Sequence, residues 1–147
     1  MLRFEGDKDF SQGLEVVWTN LNDATFLLRC IPDIDSIKEK DVDHAAFVIR
    51  PGFAFVRGTL ETTLRREESK PPTTIRWVVT SKGIGSSSTV EATLTLASAE
   101  KGTRVHWIAE VKELGGLLKL VPSGLIRGAA SKVIADAWTA AEAKMSG

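Results

Sequence analysis

Along most of the chain, apolar and polar residues alternate one for one, which marks strands with one buried and one wet face. From Val90 to Leu96 the even positions Val90, Ala92, Leu94 and Leu96 are apolar and the odd ones polar. From Thr103 to Val111, Val105, Trp107, Ala109 and Val111 share one face, with Arg104, His106 and Glu110 on the other. Thr73 to Lys82 sets Ile75, Trp77 and Val79 against Thr74, Arg76 and Thr80. The glycines of Lys82-Gly83-Ile84-Gly85-Ser86 and Ala99-Glu100-Lys101-Gly102 supply the positive φ that hairpin turns need. These segments read as neighbouring antiparallel strands.

The stretch Phe53 to Arg65 alternates Ala54, Val56, Gly58, Leu60, Thr62 and Leu64 against Phe53, Phe55, Arg57, Thr59, Glu61 and Arg65. That parity puts two phenylalanines outside, so either a bulge near Gly58 switches the faces or the aromatics meet another surface. Asp43 to Arg50 reads as its partner, reversed by Pro51-Gly52, with Ile34 to Lys40 and Leu2 to Gly6 as further strands.

Two regions follow a helical period instead. Ser11 to Asn22 places Leu14, Val17, Trp18 and Leu21 on one face behind a capping Ser11, and Ala24 to Cys30 forms a second short helix that stops before Pro32. From Leu117 to Lys144, the residues Leu118, Val121, Leu125, Ala129, Val133 and Ala137 form one stripe, with Ile126, Ala130, Ile134 and Trp138 beside it. Pro122 kinks this helix or sits in the first turn of its main segment. The order is a strand, two short helices, about six strands and one long helix, and an α+β domain with a curved antiparallel sheet wrapped around the last helix buries all these faces.

Composition narrows the function. At 147 residues the chain makes one domain, 1–147, and 19 Lys plus Arg balanced by 19 Asp plus Glu leave no basic face for nucleic acid. No apolar run approaches a membrane span and the N-terminus MLRFEGDKDF is not a signal peptide, so the cytoplasm is the expected compartment. The single cysteine, Cys30, excludes an internal disulfide and fits that compartment.

Candidate chemistry is sparse. His44 and His106 fall on outward faces and read as solvated histidines rather than a metal pair. Cys30 has only Arg29 nearby to activate it and reads as a buried structural thiol. Asp23, Asp33 and Asp35 read as caps and turn residues, Gly83-x-Gly85 as a hairpin tip and Gly115-Gly116 as a chain reversal. No catalytic residue, metal or cofactor is expected.

What remains is the inner surface. It would be lined from the sheet by Ala54, Val56, Leu60, Trp77, Val79, Leu94, Trp107 and Ala109, and from the helix by Leu118, Val121, Leu125, Ala129 and Val133. Many of these residues, and the helix around Gly128 and Ala130, are small. A curved sheet cannot follow a straight helix everywhere, so a cavity is expected, the alternative being a solid core with no hole. An empty apolar hole of about 400 Å³ would cost on the order of 10 kcal/mol, comparable to a domain's whole stability, so an apolar ligand is the expected tenant.

Leu21-Asn22-Asp23, then Leu27-Leu28-Arg29-Cys30-Ile31-Pro32 and Ile37, resembles the L-x-D, L, C-I-P-G block of the CoxG family of carbon monoxide dehydrogenase, with Asp33 where that block has glycine. Val17-Trp18, Gly58-Thr59-Leu60, Gly102-Thr103-Arg104-Val105, Gly115-Gly116-Leu117 and Leu125-Ile126-x-Gly128-Ala129-Ala130 are similar to further pieces of the family in the same order. The family is part of the START-like (SRPBCC) helix-grip superfamily of polyketide cyclases and lipid-transfer proteins. The resemblance implies a helix-grip fold and a cavity for a lipophilic molecule, a quinone or a lipid. It also implies an accessory or carrier role beside a carbon monoxide dehydrogenase-type molybdenum hydroxylase, with peripheral contact at the inner face of the cytoplasmic membrane. Members often carry an apolar C-terminal tail; this chain ends shortly after the helix, so no anchoring tail is expected. The alternatives are an enzyme of the cyclase/dehydratase or hydrolytic branch using the same cavity, and an assembly factor acting through Phe53 and Phe55.

Overall fold

The computed structural model of the chain describes residues 2–52 and 58–146. Ala54 and Val56, expected in the cavity lining, and with them Phe53 and Phe55, lie outside the described residues. The chain runs β1 (Arg3–Phe10), α1 (Leu14–Leu21), α2 (Ala24–Leu28), β2 (Ile34–Lys40), β3 (His44–Ile49), β4 (Leu60–Lys70), β5 (Thr74–Gly83), β6 (Ser86–Ala99) and β7 (Gly102–Gly116). A 3₁₀ turn, Leu117–Leu120, then leads into α3 (Ser123–Ser146). Among the described residues the strands make one antiparallel sheet in the order β1-β7-β6-β5-β4-β3-β2, so the two halves of the chain close on each other where β1 pairs with β7.

The alternation places side chains as expected. Leu94 and Leu96 on β6, Val105, Ala109 and Val111 on β7, and Ile75 and Trp77 on β5 are all buried on the inner face. Two boundaries differ. β1 continues past Gly6 to Phe10, because Lys8 sits on the inner face and meets Glu142 of α3 at 3.4 Å, which lets a charged run extend the strand. Ser11 therefore lies in the corner after β1 and does not cap α1; Gly13 stands at the cap position, its carbonyl accepting from the Val17 N–H at 3.1 Å.

Asp23 does cap α2, its carboxylate accepting from the Thr25 N–H at 2.9 Å and the Thr25 hydroxyl at 2.7 Å. Asp33 has φ 64°, the left-handed conformation that glycine adopts at least cost and aspartate tolerates. β4 carries a register shift between Arg66 and Glu68, and Gly58 has φ 104° just before the strand; the residues that would decide between a bulge near Gly58 and a contact of the two phenylalanines lie outside the described ones.

The solid core occupies one end of the sheet. There α1 and α2 press Val17, Leu21, Phe26 and Leu28 onto Phe10, Phe47, Leu64, Ile75, Trp77, Leu96 and Val105. Trp77 is 2% exposed and its indole N–H donates to the Leu21 carbonyl at 3.1 Å, tying β5 to the end of α1. Toward the opposite end, around the β5–β6 hairpin, the inner face loosens. Ile49, Leu60, Val79, Val90 and Ala92 are only half-buried there, each further along its strand than a fully buried neighbour.

The long helix departs from the expected stripe. The Pro122 carbonyl accepts from the Leu125 and Ile126 N–H groups, so the proline stands just ahead of the first turn and α3 starts afresh at Ser123. Leu118 and Val121, both half-buried, belong to the 3₁₀ turn and the connection, out of phase with the helix. The covered face runs through Ile126, Ala130, Ile134, Trp138, Ala141 and Met145 instead. This corrects the expectation for Leu125 and Val133, which are 55% and 36% exposed. Ala129, on the flank, is half-buried.

Candidate functional site: a groove between the first strand and the long helix

α3 lies along β1, and between them runs a groove of about 590 Å³. Its floor is Phe4, Trp107, Ile134 and Trp138, and its rim carries Arg3, Lys8 and Arg127 together with Glu5 and Asp7. The local sequence dictates this shape. Gly6 pairs with Trp107, and a Cβ on Gly6 would come within 2.9 Å of the indole ring, so the missing side chain is what lets Trp107 lie across β1. Trp138 then packs against Trp107 at 6.3 Å and Phe10 at 6.1 Å between ring centroids, tilted in both cases.

The rim is cationic in part and the floor aromatic. The Arg127 guanidinium lies 5.2 Å from the centre of the Phe4 ring and makes no ion pair among the described residues. Lys8 and Arg3 are neutralised by Glu142 and Glu5, each at 3.4 Å. A flat apolar body would rest on the rings while its polar end met Arg127.

The groove borders the loosened half of the sheet. By register Phe4 lies opposite Ala109 and Ala109 opposite Ala92, so the apolar surface continues across β7 onto β6. On that half the Thr62 and Ser81 hydroxyls pair at 3.0 Å, a polar spot among Leu60, Val79 and Val90. A second cleft of about 540 Å³ lies between α2 and β2, lined by Leu28, Ile31, Ile34 and Ile37 with Arg29 and Lys40.

Of the residues expected to line a cavity, Trp107 lines the groove. Leu60 and Val79 sit on the loosened half, Leu94 and Ala109 are buried beside it, and Trp77 packs into the solid core. Phe4, Lys8 and Arg127 are lining residues that the sequence pattern did not single out. Alternation carried on to Phe10 would have marked Phe4 and Lys8 as inward, and Ile134 and Trp138 stand in the second stripe of the helix.

The other candidates fall into place around the fold. His106 is clasped on the outer face by Asp7 and Glu5, both at 2.9 Å, and the hydrogen bond to Asp7 above all raises its pKa. His44 is likewise held by Asp43 at 2.8 Å, and its pKa is raised by that hydrogen bond. The two histidines are four strands apart, about 19 Å at the usual spacing, and cannot share an ion. Asp35 faces Arg50 at 3.9 Å and Glu110 faces Lys112 at 3.6 Å.

Cys30 is buried, its thiol donating to the Phe26 carbonyl at 3.5 Å, and burial pushes its pKa up to about 11. The thiol is then neutral at pH 8, and a disulfide-exchange reagent should label Cys30 only as fast as the protein unfolds. Labelling of the native protein at the rate of a free thiol would contradict the burial.

A family model for the CoxG component of carbon monoxide dehydrogenase matches residues 6–146. The chain belongs to the CoxG family. The match takes in the core, the whole of α3 and the groove apart from its lining residues Arg3, Phe4 and Glu5. No curated protein matches the sequence. Solved structures share the fold. A conserved protein from Geobacillus kaustophilus superposes with a TM-score of 0.86 at 21% identity, covering 99% of this chain and 95% of its own. A protein from Mycobacterium smegmatis gives 0.68 at 10% identity, covering 99% and 91%. One from Chromobacterium violaceum gives 0.64 at 16%, covering 95% and 96%. The α+β helix-grip architecture of this CoxG family member is thus a widely shared one. No helix among its described residues is long and apolar enough to cross a membrane.

Proposed function

We propose that this CoxG family member is a non-enzymatic carrier. It holds a lipophilic small molecule, a quinone or a lipid, and serves as an accessory to a carbon monoxide dehydrogenase-type molybdenum hydroxylase. The observation that carries the reading is the groove between β1 and α3, with its aromatic floor of Phe4, Trp107 and Trp138 beside the unpaired cation Arg127. Such a surface suits an amphipathic molecule with a flat apolar body. The carboxylates that acid/base chemistry would draw on have other partners: Asp23 caps α2, and Asp35 and Glu110 face cations. The enzyme partner comes from the family's description alone. Cargo of this kind dissolves in membranes, so the protein would work at the inner face of the cytoplasmic membrane.

The test is direct, because two of the four tryptophans floor the groove. A ubiquinone or menaquinone analogue should quench their fluorescence to saturation. At a concentration a hundredfold above its Kd it should add about 2.7 kcal/mol of stability, a rise in Tm on the order of 5–10 °C. Arg127→Glu should weaken binding about tenfold. No quenching, no shift in Tm with quinones or phospholipids, and nothing recovered by organic extraction of the purified protein would refute the carrier role.

A further inference from the structure

At the end of the molecule where the inner face loosens, several large aliphatic side chains stand in water. Ile84 at the β5–β6 tip is 44% exposed, and Leu117 and Leu120 on the 3₁₀ turn are 58% and 79% exposed. They come from separate segments that the fold ties together. The Leu117 N–H donates to the Gly85 carbonyl at 2.9 Å, and a Cβ on Gly85 would touch the Leu117 side chain at 3.6 Å. Leu125, in the first turn of α3, adds a further exposed leucine nearby in the chain.

The hairpin tip holds an independent clue. Ile84 and Gly85 have φ 51° and 71°, the two positive values of a type I′ turn, between the paired Gly83 and Ser86. Asparagine, aspartate or glycine takes the first of these positions readily, whereas a β-branched residue there is strained. The chain thus keeps an apolar side chain at its outermost point against local backbone preference, and strain of this kind points to use.

Charge identifies the occupant. Lys82 precedes the tip and Lys119 lies between Leu117 and Leu120, and neither makes an ion pair among the described residues. From Leu114 to Ala135 the chain carries Lys119, Arg127 and Lys132 and no acidic residue. Aliphatic side chains flanked by free lysines suit the boundary between anionic headgroups and acyl chains. The exposed cluster has no aromatic residue among those described, unlike the anchors of most protein interfaces.

We propose that this end, Ile84, Leu117 and Leu120 with Lys82 and Lys119, is a docking surface for an anionic phospholipid bilayer. It is the face that the carrier would turn to the membrane, and it rests on the carrier reading only for its setting. The contact needs no cargo, so it can be measured on the empty protein.

The experiment is flotation of the full chain with vesicles of phosphatidylcholine alone or mixed with phosphatidylglycerol, at low and high salt. The wild type should float with the mixed vesicles, and salt should weaken this. Lys82→Glu with Lys119→Glu should lower partitioning onto mixed vesicles by about tenfold or more and change little on neutral ones. Leu117→Ser with Leu120→Ser should abolish flotation on both, with Tm unchanged. Ile84→Asn should lower flotation several-fold while leaving Tm equal or higher, which separates lost contact from lost folding.

Failure of the wild type to float, or equal flotation of the leucine variant, would overturn the proposal. So would a leucine variant that floats normally but changes from dimer to monomer, since the surface would then belong to a second copy. Quinone quenching is read separately, so loss of vesicle binding with intact quenching would remove the docking surface and leave the carrier standing.

Discussion

Replacing Trp138 with alanine should destabilise the protein by about 3 kcal/mol and undock the long helix from the sheet. The reason lies in how little else holds α3. Of the large side chains on its covered face, Ile134, Trp138 and Met145 are only half-buried, and Ile126 alone is buried. Among the described residues its polar ties are one ion pair, Lys8 to Glu142, one hydrogen bond in which the Gln12 amide donates to the Met145 carbonyl at 3.3 Å, and the Arg127 guanidinium over the Phe4 ring. Trp138, wedged between Phe10 and Trp107, is the one large aromatic contact the helix makes with the sheet among the described residues.

Partial exposure of Trp138 sets the figure at the lower end of the range for buried aromatics. Urea unfolding would measure it, and hydrogen exchange would show α3 losing protection before the strands do. The variant should also weaken quinone quenching, because one of the three rings of the aromatic floor is gone. Trp138→Phe should recover most of the stability. A loss below about 1 kcal/mol for the alanine variant would mean that the rest of the covered face holds the helix without Trp138.

Gly102→Ala should cost more, on the order of 3–5 kcal/mol, a large share of the 5–15 kcal/mol that a domain has to lose. Gly102 turns the β6–β7 hairpin with φ 146°, and an added Cβ would run into the carbonyl oxygen of Phe10. That carbonyl cannot retreat, since Phe10 is buried, pairs with Thr103 and ends the edge strand β1. Both the strained backbone and the clash must be met at once.

The same substitution at Gly128 supplies the contrast. There a Cβ would meet nothing within 4 Å and the backbone is helical, so Gly128→Ala should stabilise by about 0.5–1 kcal/mol. If the two variants unfold at the same urea concentration, the clash at Gly102 does not exist.

The strands and their inward faces were legible because alternation is a local signal: Leu94, Leu96, Val105 and Ile75 are buried where it puts them. Asp23 announced its cap in the same local way. The long helix was harder to read. With two apolar stripes side by side, choosing between them required the phase of the helix, and the restart at Ser123 resets it. Periodicity alone points Leu125 and Val133 inward; they lie outward, and the neighbouring stripe with Ile134 and Trp138 faces the sheet.

The amino-acid sequence by itself determined the order of elements, the α+β class, the parity of the inner face and the family, because each depends on neighbours a few residues apart. Tertiary structure alone decided where the open space lies. It places the groove against β1 because Gly6 admits the Trp107 ring, and it gathers Ile84, Leu117 and Leu120 at one end through the pairing of Gly85 with Leu117. Voids and surfaces are made between segments far apart in the chain, so no local pattern encodes them.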